Sequence, residues 1–155
     1  MHTRVYISKN QIKKCVLFHC SEYVFSNFYP AGFSAEILFS ENPKILNFNC
    51  SEQYFMYRKA VLVGDEKIAQ NILEEQDPKE QKKLGRRLEM TEEQLKRWSE
   101  ISREVMYHAC LAKFSQNETC RKMMFNSHGM RLVEASPMDK IWGIGNLLKI
   151  TTTVT

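Results

Sequence analysis

The 155-residue sequence predicts an α+β fold, a small β-sheet packed with several helices. Three observations carry that prediction. Short β-prone runs are confined to the first third, capped amphipathic segments follow from Asn49 onward, and strand character returns at Arg131–Glu134. Strands first and helices afterwards, without strict alternation, describe a sheet covered by helices rather than a doubly wound one.

Val5–Ile7 and Lys14–His19 are short and β-prone. Ser34–Phe39 and Lys44–Phe48 read as a hairpin around Glu41-Asn42-Pro43. Between these pairs, Phe25-Ser26-Asn27-Phe28-Tyr29-Pro30 is an aromatic segment entering a turn. Asn49 is placed to cap a helix, with Glu52 three residues on as in a capping box. That helix runs to about Val63 and stops at Gly64. A second follows Asp65, with Ile68, Ala69, Ile72 and Leu73 on its apolar face. Asp77-Pro78-Lys79-Glu80 combines a cap with proline in the first turn, and Gly85 is the expected stop. Thr91-Glu92-Glu93-Gln94 is a capping box opening the longest helix, whose stripe reads Leu95, Trp98, Ser102, Val105, Ala109, Ala112. Asn117 caps one more helix, ending near His128-Gly129. A strand at Arg131–Glu134 leads into a loop from Pro137 that carries Asp139, Trp142, Gly143 and Gly145.

Size and composition narrow the classes. One domain spanning residues 1–155 is expected, and 43% hydrophobic residues suffice for a core. A charged fraction of 26% with six glycines and four prolines excludes collagen-like and wholly disordered chains. The net charge of +4 fits a phosphate-bearing substrate and leaves nucleic-acid binding open. No run approaches the ~20 apolar residues of a membrane span, so a soluble, cytoplasmic protein with no membrane partner is expected. Oligomeric state is not legible. The five cysteines are odd in number and form no C-x-x-C pair, which argues against a disulfide framework or a zinc site. The four histidines are scattered, so a metal site is not expected.

Four groups of residues have the composition of a site. Glu52, Met56 and Lys59 share a helix face, and the positive helix end favours an ionised Glu52. Such a carboxylate can stabilise positive charge or orient water, or simply cap the helix. Lys82-Lys83-Leu84-Gly85-Arg86-Arg87 suits phosphate contact, or is a solvated helix end complementing the dipole. Trp98, near Arg103 and Met106, reads as core or as a stacking surface for a base. On the last loop Asp139 suits general acid–base chemistry and Trp142 a stacking wall, against an ordinary loop with an anchoring Trp. There is no Walker loop, dinucleotide-binding glycine motif or nucleophile elbow. The residues alone thus lead to an α+β domain with a candidate anionic-ligand site.

In order, the chain presents Phe25-Ser26-Asn27-Phe28, Ser51-Glu52-Gln53-Tyr54-Phe55-Met56 with Lys59-Ala60, and Lys83-Leu84-Gly85-Arg86. Trp98 with Arg103 and Met106, Lys113-Phe114 with Asn117, Leu132-Val133-Glu134-Ala135-Ser136 with Asp139, and Ile141-Trp142-Gly143-Ile144-Gly145 follow. From about Tyr23 to Gly145 this series resembles the NADAR (NAD- and ADP-ribose-associated), or YbiA-like, family. The resemblance implies a compact α+β domain with N-glycosidase activity and no metal or redox cofactor. Its implied substrates are ADP-ribosylated guanine, free or in nucleic acid, and phosphoribosylamino-pyrimidines of the early riboflavin pathway. Both join ribose C1 to an exocyclic amine of a guanine-like ring. By resemblance Glu52 stabilises the oxocarbenium-like transition state and orients water, while Asp139 supplies acid–base chemistry or contacts ribose. Trp98 and Trp142 stack on the base, Gly143 admits the ligand to the backbone, Lys59, Lys83 and Arg86 meet phosphates, and Asn27 binds ribose or backbone. After Gly145 the chain departs from the usual family tail, running Asn146-Leu147-Leu148-Lys149-Ile150 into Thr151–Thr155. That departure sustains a second reading, a non-catalytic module that binds ADP-ribose or modified nucleic acid.

Overall fold

The computed structural model describes residues 4–8, 11–37, 39, 44–136 and 143. Strands β1 (Arg4–Ser8) and β2 (Gln11–Phe18) form an antiparallel pair. Strand β5 (Arg131–Glu134) adds in parallel to the other edge of β2, giving the order β1-β2-β5. The pairing runs from Cys15 opposite Arg131 to Phe18 opposite Glu134, and the Ala135 amide extends it by donating to Phe18 O at 2.8 Å. Strands β3 (Phe33–Glu36) and β4 (Ile45–Phe48) form a separate antiparallel hairpin. The expected α+β class and the hairpin are therefore present. The expected turn at residues 41–43 lies outside the described residues.

Five helices are described: α1 (Ser51–Val63), α2 (Glu66–Glu74), α3 (Pro78–Arg86), α4 (Glu92–Gln116) and α5 (Glu118–Asn126). Several ends follow the expected local chemistry. Gly64 adopts φ 82° and closes α1, a conformation favoured by the missing Cβ. Asp77 caps α3 with Pro78 behind it, and Thr91 and Gln94 form the reciprocal capping box of α4.

Other ends differ from expectation. The cap of α1 is Cys50, not Asn49: its sulfur accepts the Gln53 amide at 3.4 Å. Gln53, not Glu52, reaches back, its Oε1 accepting from Asn49 N at 2.7 Å. Gly85 does not terminate α3, which continues to Arg86. It is small because α1 passes over it: a Cβ there would collide with the Met56 side chain, 3.0 Å from its Cγ. Asn117 precedes α5 without capping it. Its amide donates to Gly32 O at 3.0 Å and to Lys113 O at 2.9 Å, tying the end of α4 to the approach of β3. On α4 the buried stripe holds Ile101, Val105, Met106, Ala109, Ala112 and Lys113, while Leu95 is exposed.

Helix α1 lies at the centre, packed against α2, α3 and α4. The main core gathers Tyr54, Phe55 and Met56 of α1, Ile72 of α2, Val105 of α4 and the hairpin residues Phe33 and Phe48. A second, smaller core joins β2 and β5 to α5 and the turn segment, through Val16, Val24, Phe25 and Cys120 with half-buried Phe114 and Leu132. The segment from Cys20 to Pro30, stitched by Tyr23 N to Cys20 O and Ser26 N to Tyr23 O, crosses between the two cores.

Candidate active site

Where the two cores meet, the turn segment touches the first turn of α1. The Glu52 amide donates to Asn27 O at 3.0 Å, so one of the orphan N–H groups of the helix start is satisfied by the turn rather than by water. Glu52 is 4% exposed, yet capping is done by Cys50 and Gln53. Its carboxylate instead has Lys82 of α3 as a neighbour, Nζ to Oε1 being 3.9 Å. The Lys82 ammonium also stands 5.4 Å from the Phe28 ring centroid, within cation–π range.

Beneath this pair, α4 contributes Cys110 and Lys113. Cys110 Sγ is 3.7 Å from Asn27 Oδ1, and the Lys113 ammonium donates to Ser26 O at 2.7 Å. Lys113 is 1% exposed, flanked by the rings of Tyr29 and Phe114 at 5.4 and 5.2 Å. Burial pulls its pKa from 10.5 down to about 8, against the smaller opposing pull of Cys110, Cys120 and Cys50. Burial likewise pushes the Cys50 thiol up to about 11, with the charge of Glu52 adding to the rise. Cys110 and Cys120 are raised by the same desolvation.

The Lys113 shift has a definite sign. Between about pH 8 and 10.5 the unfolded chain holds a proton there that the folded chain has released, so stability rises with pH. The raised thiols oppose this above their ordinary value of 9.0. Below pH 9 the raised thiols stay largely protonated in the fold, so comparison of parent with Lys113→Met in urea reads mainly the lysine. Parental stability is expected to gain about 1 kcal/mol on the variant between pH 7 and 9. A difference that does not change with pH would refute the buried-lysine account.

The sequence-predicted residues divide as follows. Glu52 and Asn27 are brought together. Lys59 points to α3, donating to Gly85 O at 2.9 Å, and burial, then Arg86, lowers its pKa. Lys83 is exposed and paired with Glu80 at 3.1 Å; Arg86 is exposed. Trp98 packs on Phe55, centroids 4.8 Å apart, at the edge of the main core. Gly143 is half-buried, while Asp139 and Trp142 lie outside the described residues. Sequence reasoning passes over Cys110, and it names Lys82 only within the basic run and Phe28 and Lys113 only within motifs, with no individual role. Lys113 carried a readable signal: it falls one turn after Ala109 on the apolar stripe, where a solvent-facing lysine does not belong. Among the described residues no group of three or more His, Cys, Asp or Glu is arranged to hold a metal ion, and no helix is long and apolar enough to cross a membrane.

The NADAR domain family model matches residues 17–152. Protein irg-1 of Caenorhabditis elegans is 58% identical over 151 residues, 94% of this chain and 71% of that protein. N-glycosidase R617 of Acanthamoeba polyphaga mimivirus is 33% identical over 138 residues, 85% of this chain and 78% of that protein. The solved NMR structure of the Escherichia coli protein YbiA superposes with a TM-score of 0.65 at 25% identity, covering 94% of this chain and 82% of YbiA.

Proposed function

The chain belongs to the NADAR domain family, and on that premise we propose that it is an N-glycosidase cleaving the bond between ribose C1 and an exocyclic amine of a guanine-like base. ADP-ribosylated guanine and phosphoribosylamino-pyrimidines are the two substrate types that present this bond. Support for glycosyl-bond hydrolysis comes from the relative named N-glycosidase that aligns along most of both chains. The observation that carries the reading is the placement of Glu52. It is a buried carboxylate at a helix N-terminus, relieved of capping and set beside a cation and the Asn27 turn.

In this reading the C1–N bond breaks as positive charge develops on C1 and the ring oxygen. Glu52 stabilises that charge and orients the water whose oxygen bonds to C1, and the proton that water gives up replaces the one Asp139 donates to the amine. The amine leaves with a proton, supplied by Asp139, and its electrons delocalise into the base. Lys59, Lys83 and Arg86 take the phosphates, and Trp98, Trp142 and Gly143 shape the base pocket. No residue role requires a cofactor.

The test is hydrolysis followed by mass spectrometry. ADP-ribosylated guanosine and a phosphoribosylamino-pyrimidine are each incubated with the protein and with Glu52→Ala. Release of free base by the parent alone is expected and identifies the substrate. A folded parent that releases nothing, yet melts higher with ADP-ribose, would replace the enzyme with the binding-module reading.

A further inference from the structure

The backbone around Asn27 is held from three sides. The Glu52 amide donates to Asn27 O at 3.0 Å. The carbonyl before it, Ser26 O, accepts the Lys113 ammonium at 2.7 Å. The amide after it, Phe28 N, donates to Ser26 Oγ at 3.2 Å. Helices α1 and α4 and the turn itself thus fix where the Asn27 side chain starts. Ser26 is buried and Asn27 half-buried, so that side chain stands at the edge of the core, within reach of solvent.

The contact with α4 decides which end of the carboxamide faces outward. A carboxamide carries an acceptor at one end and two donors at the other. Cys110 Sγ lies 3.7 Å from Asn27 Oδ1, a thiol donor on a carbonyl oxygen. Burial raises the Cys110 pKa, which keeps the sulfur protonated and a donor. Turned over, the carboxamide would set its N–H against the S–H, donor against donor. The oxygen is therefore committed to α4, and Nδ2 is turned away from it.

We propose that Cys110 is a positioning residue of this site. It orients Asn27 so that the carboxamide presents its N–H donors to the ligand, which meets them with an acceptor oxygen of its ribosyl phosphate half. That half is common to both substrate types. The inference rests on the glycosidase reading for the ligand, and on the structure alone for the orientation. Because the Asn27 backbone is already pinned, the ligand has little of this residue left to order, and the donor is preorganised.

The experiment measures ADP-ribose binding by calorimetry, with melting temperatures, for the parent, Cys110→Ala, Cys110→Ser, Asn27→Ala and the double alanine variant. Cys110→Ala frees the carboxamide to turn and is expected to weaken binding about threefold to tenfold, the worth of one hydrogen bond. Serine keeps a donor in the same place and restores parental affinity. Because Cys110 acts through Asn27, the double variant is expected to bind no worse than Asn27→Ala. Additive losses, or a lowered melting temperature with unchanged affinity, would make Cys110 a packing residue and overturn the proposal. Asn27→Asp keeps an oxygen for the thiol and removes the donors. Parental affinity in that variant would mean that the ligand meets the oxygen, which also overturns it. Inorganic phosphate and ribose 5-phosphate separate the two sources of the acceptor. A Cys110→Ala loss shared by both places Nδ2 on phosphate, and a loss for ribose 5-phosphate alone places it on ribose. Without ligand, the Asn27 carboxamide carbon followed by NMR is expected to shift in Cys110→Ala and to return in Cys110→Ser. If nothing is bound or hydrolysed but that carbon shifts, the glycosidase reading fails and the orienting role of Cys110 stands. An unmoved carbon overturns that role.

Discussion

Glu52→Gln is expected to slow hydrolysis by about 10²–10⁴-fold while the melting temperature stays within a few degrees of the parent's. The substitution preserves volume and the backbone contact to the turn, because the Glu52 amide to Asn27 O bond involves no side chain. Its structural cost is small: the carboxylate is not the α1 cap, and its partner Lys82 retains partial access to water. Lys82, 28% exposed against 5% for Glu52, can turn to water once the carboxylate charge is gone, so the cost is expected at about 1 kcal/mol, which for a chain of this size is a shift of about 2–4 °C. What is lost is the charge facing C1 as it becomes cationic, which an amide does not replace. Single-turnover rates with the released base followed by mass spectrometry decide the matter. Parental rates in a folded Glu52→Gln protein would remove Glu52 from the mechanism. Glu52→Asp, which keeps the charge but withdraws it by one methylene, separates loss of charge from loss of fold: intermediate rates are expected.

The sequence was most legible where local chemistry decides the outcome. Gly64, Asp77-Pro78 and Thr91 each mark a helix end through a preference expressed within a few residues, and the structure places ends there. The parallel pairing of β2 with β5 joins residues more than a hundred positions apart, and no short-range pattern encodes it. The α1 cap was misplaced by one residue because a thiol is an uncommon cap and Asn49 a common one. Glycine ordinarily marks a helix stop, whereas at Gly85 its smallness serves the approach of Met56. The site itself was half legible. Glu52 and Asn27 stand in recognisable motifs. Lys82 and Lys83 are indistinguishable in composition, and only the inward phase of Gln81 decides which of them meets Glu52.

Gln53→Leu is expected to destabilise the fold by about 3–5 kcal/mol, the largest effect on stability of any substitution considered. Gln53 is 2% exposed and works in two directions. Its Nε2 lies 2.9, 3.2 and 3.1 Å from the carbonyls of Ile72, Leu73 and Glu75, which end α2, while its Oε1 accepts from Asn49 N. The last carbonyls of a helix have no partner within it, and here the side chain of α1 supplies one without water. Leucine fills the space but strands these groups, at about 1–3 kcal/mol for each that stays buried and unmet. Gln81 shares two of the same residues, donating to Glu75 O and to Asn49 Oδ1 and accepting from Cys50 Sγ at 3.3 Å. The two glutamines thus form one network locking α1, α2 and α3, so their losses do not add. A urea-denaturation cycle of Gln53→Leu, Gln81→Leu and the double variant is expected to show coupling of about 1 kcal/mol or more. Additive losses, or a Gln53→Leu cost below about 1 kcal/mol, would mean that water replaces the amide and that the network does not fix α3 against α1. Because α3 carries Lys82 and α1 carries Glu52, the same cycle measures how firmly the fold holds Lys82 beside the candidate catalytic carboxylate.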